Sequence, residues 1–185
     1  LDLKHPEGQA TFKGMVKSAG GLVGNFRAGV LDKMGLGYDT LKLINPRLVY
    51  TSIRGFGDKA GGQSPYMNWP AFDIVAQAMG GWMGITGPDA DHPFKVGGGA
   101  GDTVPGLFAA FGTLAALWHA RATGVGQYVD VAMTDAVLAH NIFPLVTTQV
   151  FGKPAPRGAD LLTGGVPCYG VYRTSDERYL AVGAL

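Results

Sequence analysis

The sequence predicts an α/β fold built on a mainly parallel sheet. Three observations carry that expectation. Short β-rich apolar runs alternate with helical runs along most of the chain. The longest apolar helix follows directly on a glycine loop, in GGGAGDTVPGLFAAFGTLAALWHA. The last two strands read as a hairpin, which breaks the alternation and marks the start of something smaller.

The elements follow in chain order. Pro6 to Ser18 forms a helix, with Pro6 and Glu7 suited to its first turn. GLVGNF, residues 21–26, is a short buried strand leaving into a loop, and short helices follow at Val30–Met34 and Tyr38–Ile44. RLVYTSI, residues 47–53, is β-rich and apolar and forms a buried strand. Residues 54–70 are a long loop rich in glycine and proline, of a length that is often functional in a compact domain. AFDIVAQAMGG, residues 71–81, is a helix stopped by a glycine pair. Residues 82–101 form a turn-rich connection, and Thr103–Arg121 the longest apolar helix. A strand lies within residues 124–133, after a glycine turn, and Thr134–Phe151 is one further apolar helix. Residues 152–167 link to the terminal hairpin, with TSDE as its turn. The chain thus divides at residues 1–151, a partial large α/β domain, and 152–185, a linker and the start of a small domain. It opens on LDLKHPEGQ without a methionine and closes on RYLAVGAL inside a strand, which reads as part of a longer protein.

Composition narrows the function. Hydrophobic residues make 46% and charged residues 16% of the 185, a globular balance with a sizeable core. A net charge of +1 without a basic block argues against nucleic acid as the main partner. Cys168 is the single cysteine, so no internal disulfide forms, in keeping with a cytoplasmic protein. No apolar run reads as long enough to span a bilayer, and no signal peptide is seen, so no membrane partner is expected. His5, His92, His119 and His140 are scattered without metal-ligand spacing, so no metal is expected. There is no G-x-S-x-G elbow.

Asp102 is the residue that needs explaining. It stands between a glycine loop and an apolar helix, where aspartate commonly serves as an N-cap. The same place suits chemistry. Backbone N–H groups at a helix start favour negative charge, and Gly97, Gly98, Gly99 and Gly101 leave room for a substrate carbonyl. A carboxylate so exposed can act as a nucleophile and carry a covalent acyl group. Arg27 and Lys33, on glycine-broken loops after a strand, are either solvated cations or contacts to a phosphate, and their spacing is neither Rossmann nor Walker A. Tyr128 and Asp130 share a strand face as ordinary sheet residues.

The ordered motifs carry a more specific likeness. VGNFRAGVLDKMGLGYDTLKLINPRLVYTSIRGFG, AFDIVAQAMGG and AGDTVPGLFAAFGTLAALWHARATGVGQYVDVAM, followed by TDAVLA, resemble the family III CoA-transferases in the same order. The resemblance implies a Rossmann-like large domain, a smaller domain, a chain about twice as long, and two chains interlocked as a homodimer. It implies that Asp102 attacks an acyl-CoA thioester to give an aspartyl mixed anhydride, with CoA passing to a carboxylic acid acceptor. CoA enters as part of the substrate, and no other cofactor is implied. Asn25, Phe26 and Arg27 match the family's CoA-holding loop, and Lys33 stands where its transferases carry a CoA-contacting arginine. Trp69, Pro70, Ala71 and Phe72 match the segment lining the CoA site, and Gly164 and Gly165 match part of a glycine loop that closes over it.

This chain departs from the pattern at Gly24 and Ala28, where the family motif reads ENFRPG, and both changes loosen the loop. The family also contains acyl-CoA racemases, whose proton-transfer histidine is replaced here by Phe72, while the tail from Leu162 is closer to that branch. The resemblance therefore implies a transferase first, an α-proton racemase or epimerase second, and a non-catalytic CoA-binding relic third.

Overall fold

The computed structural model describes residues 1–59 and 61–184. Its centre is a three-stranded parallel sheet in the order β1-β2-β3, formed by Gly21–Gly24, Val49–Arg54 and Tyr128–Ala132. The registers pair Leu22 with Tyr50 and Tyr50 with Tyr128. Parallel strands need crossovers, and helices supply them. Helix α1 (Pro6–Val16) precedes β1, and helices α2 (Val30–Lys33) and α3 (Tyr38–Ile44) lie in the first crossover. Helices α4 (Asp73–Met79), α5 (Trp82–Ile85) and α6 (Ala100–Thr123) lie in the second.

Strand β2 is buried on both faces, as a central parallel strand must be, so its sequence shows no in-out alternation. One face carries Tyr50, packed with Val16, Leu31, Leu36, Leu41 and Leu48 of the α1–α3 layer. Tyr38, Tyr50 and Tyr128 form an aromatic cluster there, with centroids 5.4–5.9 Å apart. The other face carries Val49 against Ala116 and Ala120 of α6. On that side the Thr51 and Thr113 hydroxyls bond at 2.6 Å. The result is an α/β/α sandwich. A third cluster, Ala76, Trp82 and Val137, joins α4 and α5 to helix α7 (Met133–Ala139).

The structure corrects several expectations. α6 begins at Ala100 rather than Thr103, which places Pro105 in its second turn. The apolar stretch after β3 is two helices, α7 and α8 (Ile142–Phe151), instead of one. The break falls at His140–Asn141, where the buried Asn141 turns its Nδ2 to the Gly80 carbonyl at 2.7 Å. α5 lies in a stretch expected to be turns. At 24 residues, α6 is also long and apolar enough by composition to cross a bilayer, contrary to the sequence expectation. It packs on β2 and β3, while its outward face exposes Leu107, Phe111, Leu114 and Trp118.

The terminal hairpin joins β4 (Tyr169–Arg173) and β5 (Tyr179–Gly183), with Arg173 opposite Tyr179. Its turn closes as Thr174 N–H donates to the Arg178 carbonyl at 2.9 Å.

Candidate active site

The carboxyl ends of parallel strands are where open α/β sheets hold ligands, because loops fan out there and leave a crevice. A cavity of ≈ 530 Å³ opens at that edge. Asn25, Phe26 and Arg27 enter it from the loop after β1. Ile53 and Arg54 enter from the end of β2 with Gly55, and Met133 from just beyond β3. Trp69, Pro70, Ala71 and Phe72 form the far wall, and Asp102 closes the site from α6. The 55–72 loop returns to its own start. A Cβ on Gly55 would stand 2.2 Å from that of Ala71, so only glycine allows this approach. Phe26, Trp69 and Phe72 remain exposed, presenting aromatic surface around the opening.

Asp102 is not an N-cap. Gly99 holds that position, with φ of 66° in the left-handed region, and no side chain caps the helix. Asp102 is the third residue of α6, exposed, and its carboxylate has no hydrogen-bond or ion-pair partner among the described residues. A carboxylate in the first turn sits at the positive end of the helix dipole. The backbone donors of that turn are largely spent. Gly101 N–H donates to Asp73 Oδ1 at 2.7 Å, and those of Asp102 and Thr103 to the Gly99 carbonyl at 3.0 Å. The open glycines are Gly97, Gly98 and Gly99. Gly101 is instead enclosed, since a Cβ there would lie 2.5 Å from the Asp73 carbonyl oxygen.

Lys33 lies apart from Asp102, in a neighbouring cavity of ≈ 910 Å³ whose lining includes Tyr38, Asp58, Lys59 and Tyr128. The two cavities share Ala28, Arg54, Met67 and Asn68, so they adjoin at these residues. Gly164 and Gly165 line neither.

Arg54 is the residue the sequence did not single out. It is the last residue of β2, its side chain 8% exposed, and its guanidinium Nη1 pairs with Asp58 Oδ2 at 2.5 Å. Its Nε has no partner among the described residues. The same Asp58 oxygen accepts the Tyr128 hydroxyl at 2.5 Å, and Asp130 Oδ2 accepts the Asp58 N–H at 2.7 Å. Tyr128 and Asp130 therefore pin the loop that walls the site, which is more than the ordinary sheet-face role expected of them. Burial raises the Asp130 carboxyl above its usual range. Among the described residues no cluster of three or more His, Cys, Asp or Glu is placed to hold a metal ion.

Comparison with known proteins places this geometry in context. The sequence pattern of CoA-transferase family III matches residues 1–185. The chain is 46% identical over 139 residues to succinyl-CoA:mesaconate CoA-transferase of Haloarcula hispanica, covering 75% of this chain and 35% of that protein. It is 34% identical over 186 residues to the human alpha-methylacyl-CoA racemase, covering 100% of this chain and 48% of that protein. A CAIB/BAIF family protein from Brucella suis superposes with a TM-score of 0.85 at 32% identity, covering 98% of this chain and 47% of the other. The chain thus spans less than half the length of each of these relatives.

Proposed function

The chain belongs to CoA-transferase family III, and from that premise we propose that it moves CoA from an acyl-CoA thioester to a carboxylic acid, with Asp102 as the covalent nucleophile. The observation that supports this most is the meeting of Asp102 with Asn25, Phe26, Arg27, Trp69, Pro70, Ala71 and Phe72 around one cavity.

In this reading an Asp102 oxygen attacks the thioester carbonyl carbon. The C–S bond breaks, and the electron pair leaves on the CoA thiolate. The product is a mixed anhydride between Asp102 and the acyl group. The thiolate then attacks the aspartyl carbonyl, releasing the first carboxylate and leaving an aspartyl-CoA thioester. The acceptor carboxylate repeats the sequence in reverse and leaves as its CoA ester, which restores the Asp102 carboxylate. Neither water nor a redox partner enters the balance. The exposed position of Asp102 leaves its oxygens free to react, at the positive end of the α6 dipole. Arg27 and Arg54 face the same space, and Lys33 with Lys59 the adjoining one, where the phosphates of CoA would sit. An interlocked homodimer belongs to the same proposal. The outward apolar face of α6, with Phe111 and Trp118 exposed, is a surface that such an assembly would cover.

The test is isotope exchange. A labelled carboxylic acid incubated with its unlabelled CoA ester should gain and lose label through the enzyme alone, and Asp102→Ala should abolish it. A panel of dicarboxylic and 2-methyl acids that shows no exchange, despite binding of the esters, contradicts the proposal.

A second reading has one observation in its favour, the 34% identity to alpha-methylacyl-CoA racemase along the whole chain. Racemisation needs two proton carriers at the α-carbon. Phe72, which lines the same cavity as Asp102, has no group that can take up or give a proton. Solvent deuterium entering a 2-methylacyl-CoA at that carbon would support this reading over transfer.

A further inference from the structure

Gln77 is fully buried, with 0% exposure, yet it is a polar side chain on a short helix. Burial of an amide is tolerated only when its donors and acceptor are met. Here they are. Its Nε2 donates to both Asp73 oxygens at 3.0 Å and to the Val96 carbonyl at 3.1 Å. Its Oε1 accepts the Val96 N–H at 2.8 Å. Asp73, one turn earlier on α4, passes the connection on by accepting the Gly101 N–H.

The segment from Val96 to Gly101 is thus tied at both ends to one pair of side chains. Between the ties, Gly97, Gly98 and Gly99 have nothing within 4 Å of a would-be Cβ. With no side chains, these three glycines have only the backbone to fix their path, and Gly99 is held by its carbonyl as the N-cap of α6. The tie also joins two walls of the cavity. Asp73 follows Phe72, Gly101 precedes Asp102, and both Phe72 and Asp102 line the site.

We propose that Asp73 and Gln77 are positioning residues, which set Asp102 against the wall carrying Phe72. The proposal rests on the transferase reading for its catalytic consequence, while the clamp itself stands on geometry alone. Neither residue lines the cavity. Misplacing a reacting group by about 1 Å can cost roughly a hundredfold in rate while leaving binding intact.

The test uses the longest natural polypeptide that carries this sequence, with Gln77→Met, Asp73→Ala and Asp73→Asn. Two readouts are taken: amide hydrogen exchange across residues 96–103, and kcat and KM for CoA exchange. Asp73→Ala and Gln77→Met should speed exchange of the Gly101 amide by at least about tenfold, because a bond to a charged acceptor is lost or loosened. They should lower kcat by about tenfold or more, with KM for the acyl-CoA within about threefold. Asp73→Asn keeps an Oδ1 acceptor for Gly101 and should recover most of the rate. Unchanged amide exchange, a loss confined to KM, or an Asp73→Asn variant as slow as Asp73→Ala overturns the proposal. Should Gln77→Met not fold, as judged by circular dichroism, the two Asp73 variants decide the matter. A parent protein that performs no exchange defeats the transferase reading and the catalytic half of this inference, and the amide data then decide the clamp by themselves.

Discussion

The Tyr128 hydroxyl donates to Asp58 Oδ2 at 2.5 Å, and that same oxygen is the counter-charge of the buried Arg54. One carboxylate therefore joins the end of β2, the face of β3 and the loop that walls the cavity. Removing the two partners should have unequal costs. Tyr128→Phe loses a hydrogen bond to a charged group, about 1.5–3 kcal/mol. Asp58→Ala leaves Arg54 buried and unpaired, about 3–5 kcal/mol. Urea denaturation of both variants checks the ranking, and equal losses would contradict it.

The tyrosine cluster predicts alkaline sensitivity. Burial pushes the Tyr50 phenol up to about 12, and burial with the Asp58 bond pushes Tyr128 upward as well. In the unfolded chain both ionise near roughly pH 10. Above that pH the unfolded state has lost protons that the folded state keeps, so stability falls as pH rises. The contribution is fully present below about pH 10 and is lost as pH climbs through the folded values. The urea midpoint should drop steadily from about pH 10 to 12, and less steeply in Tyr128→Phe. A flat midpoint over that range would count against the account.

Gly101 and Gly97 lie four positions apart and should respond oppositely to alanine. A Cβ on Gly101 would meet the Asp73 carbonyl oxygen at 2.5 Å, which is backbone and cannot swing aside. Gly101→Ala should destabilise by about 1–3 kcal/mol through overpacking between α4 and α6. Gly97 has nothing within 4 Å, so Gly97→Ala should stay within about 0.5 kcal/mol. Thermal unfolding of the pair is the measurement.

Lys33 opens on the cavity that adjoins the one holding Asp102. If the phosphates of CoA lie there, Lys33→Ala should weaken acyl-CoA binding by about two- to fivefold, a typical cost for one exposed charge contact. The loss should vanish for a thioester of pantetheine, which lacks the nucleotide. Titration calorimetry with both esters separates the outcomes, and an equal loss with each would move the phosphates elsewhere.

Much of the fold was legible because the signals were local. The Tyr38–Ile44 helix is as the sequence predicts, and the alternation of strands and helices is that of a parallel α/β sheet. What escaped depended on distant contacts. The break between α7 and α8 is set by Asn141 reaching Gly80, 61 residues away in sequence. The capping of α6 is set by the left-handed Gly99 and by Asp73 meeting Gly101, so Asp102 was free for another role than the cap its residue type invited. Arg54 was hidden as the first residue of the loop expected over 54–70, and only the fold shows it ending β2 and pairing with Asp58. An unusual arginine closing an otherwise buried strand was the one signal that could have marked it. The motif series pointed to Asn25–Arg27, Trp69–Phe72 and Asp102 together, and these surround one cavity, whereas Lys33 opens on the next.

The central claim is that Asp102 becomes acylated. The most direct measurement incubates the longest natural polypeptide carrying this sequence with a panel of acyl-CoA thioesters, quenches with hydroxylamine, and examines the Asp102 peptide by mass spectrometry. The account predicts a hydroxamate on Asp102 that forms only when an acyl-CoA is present. An unmodified Asp102 peptide, with each thioester shown to bind, would contradict it.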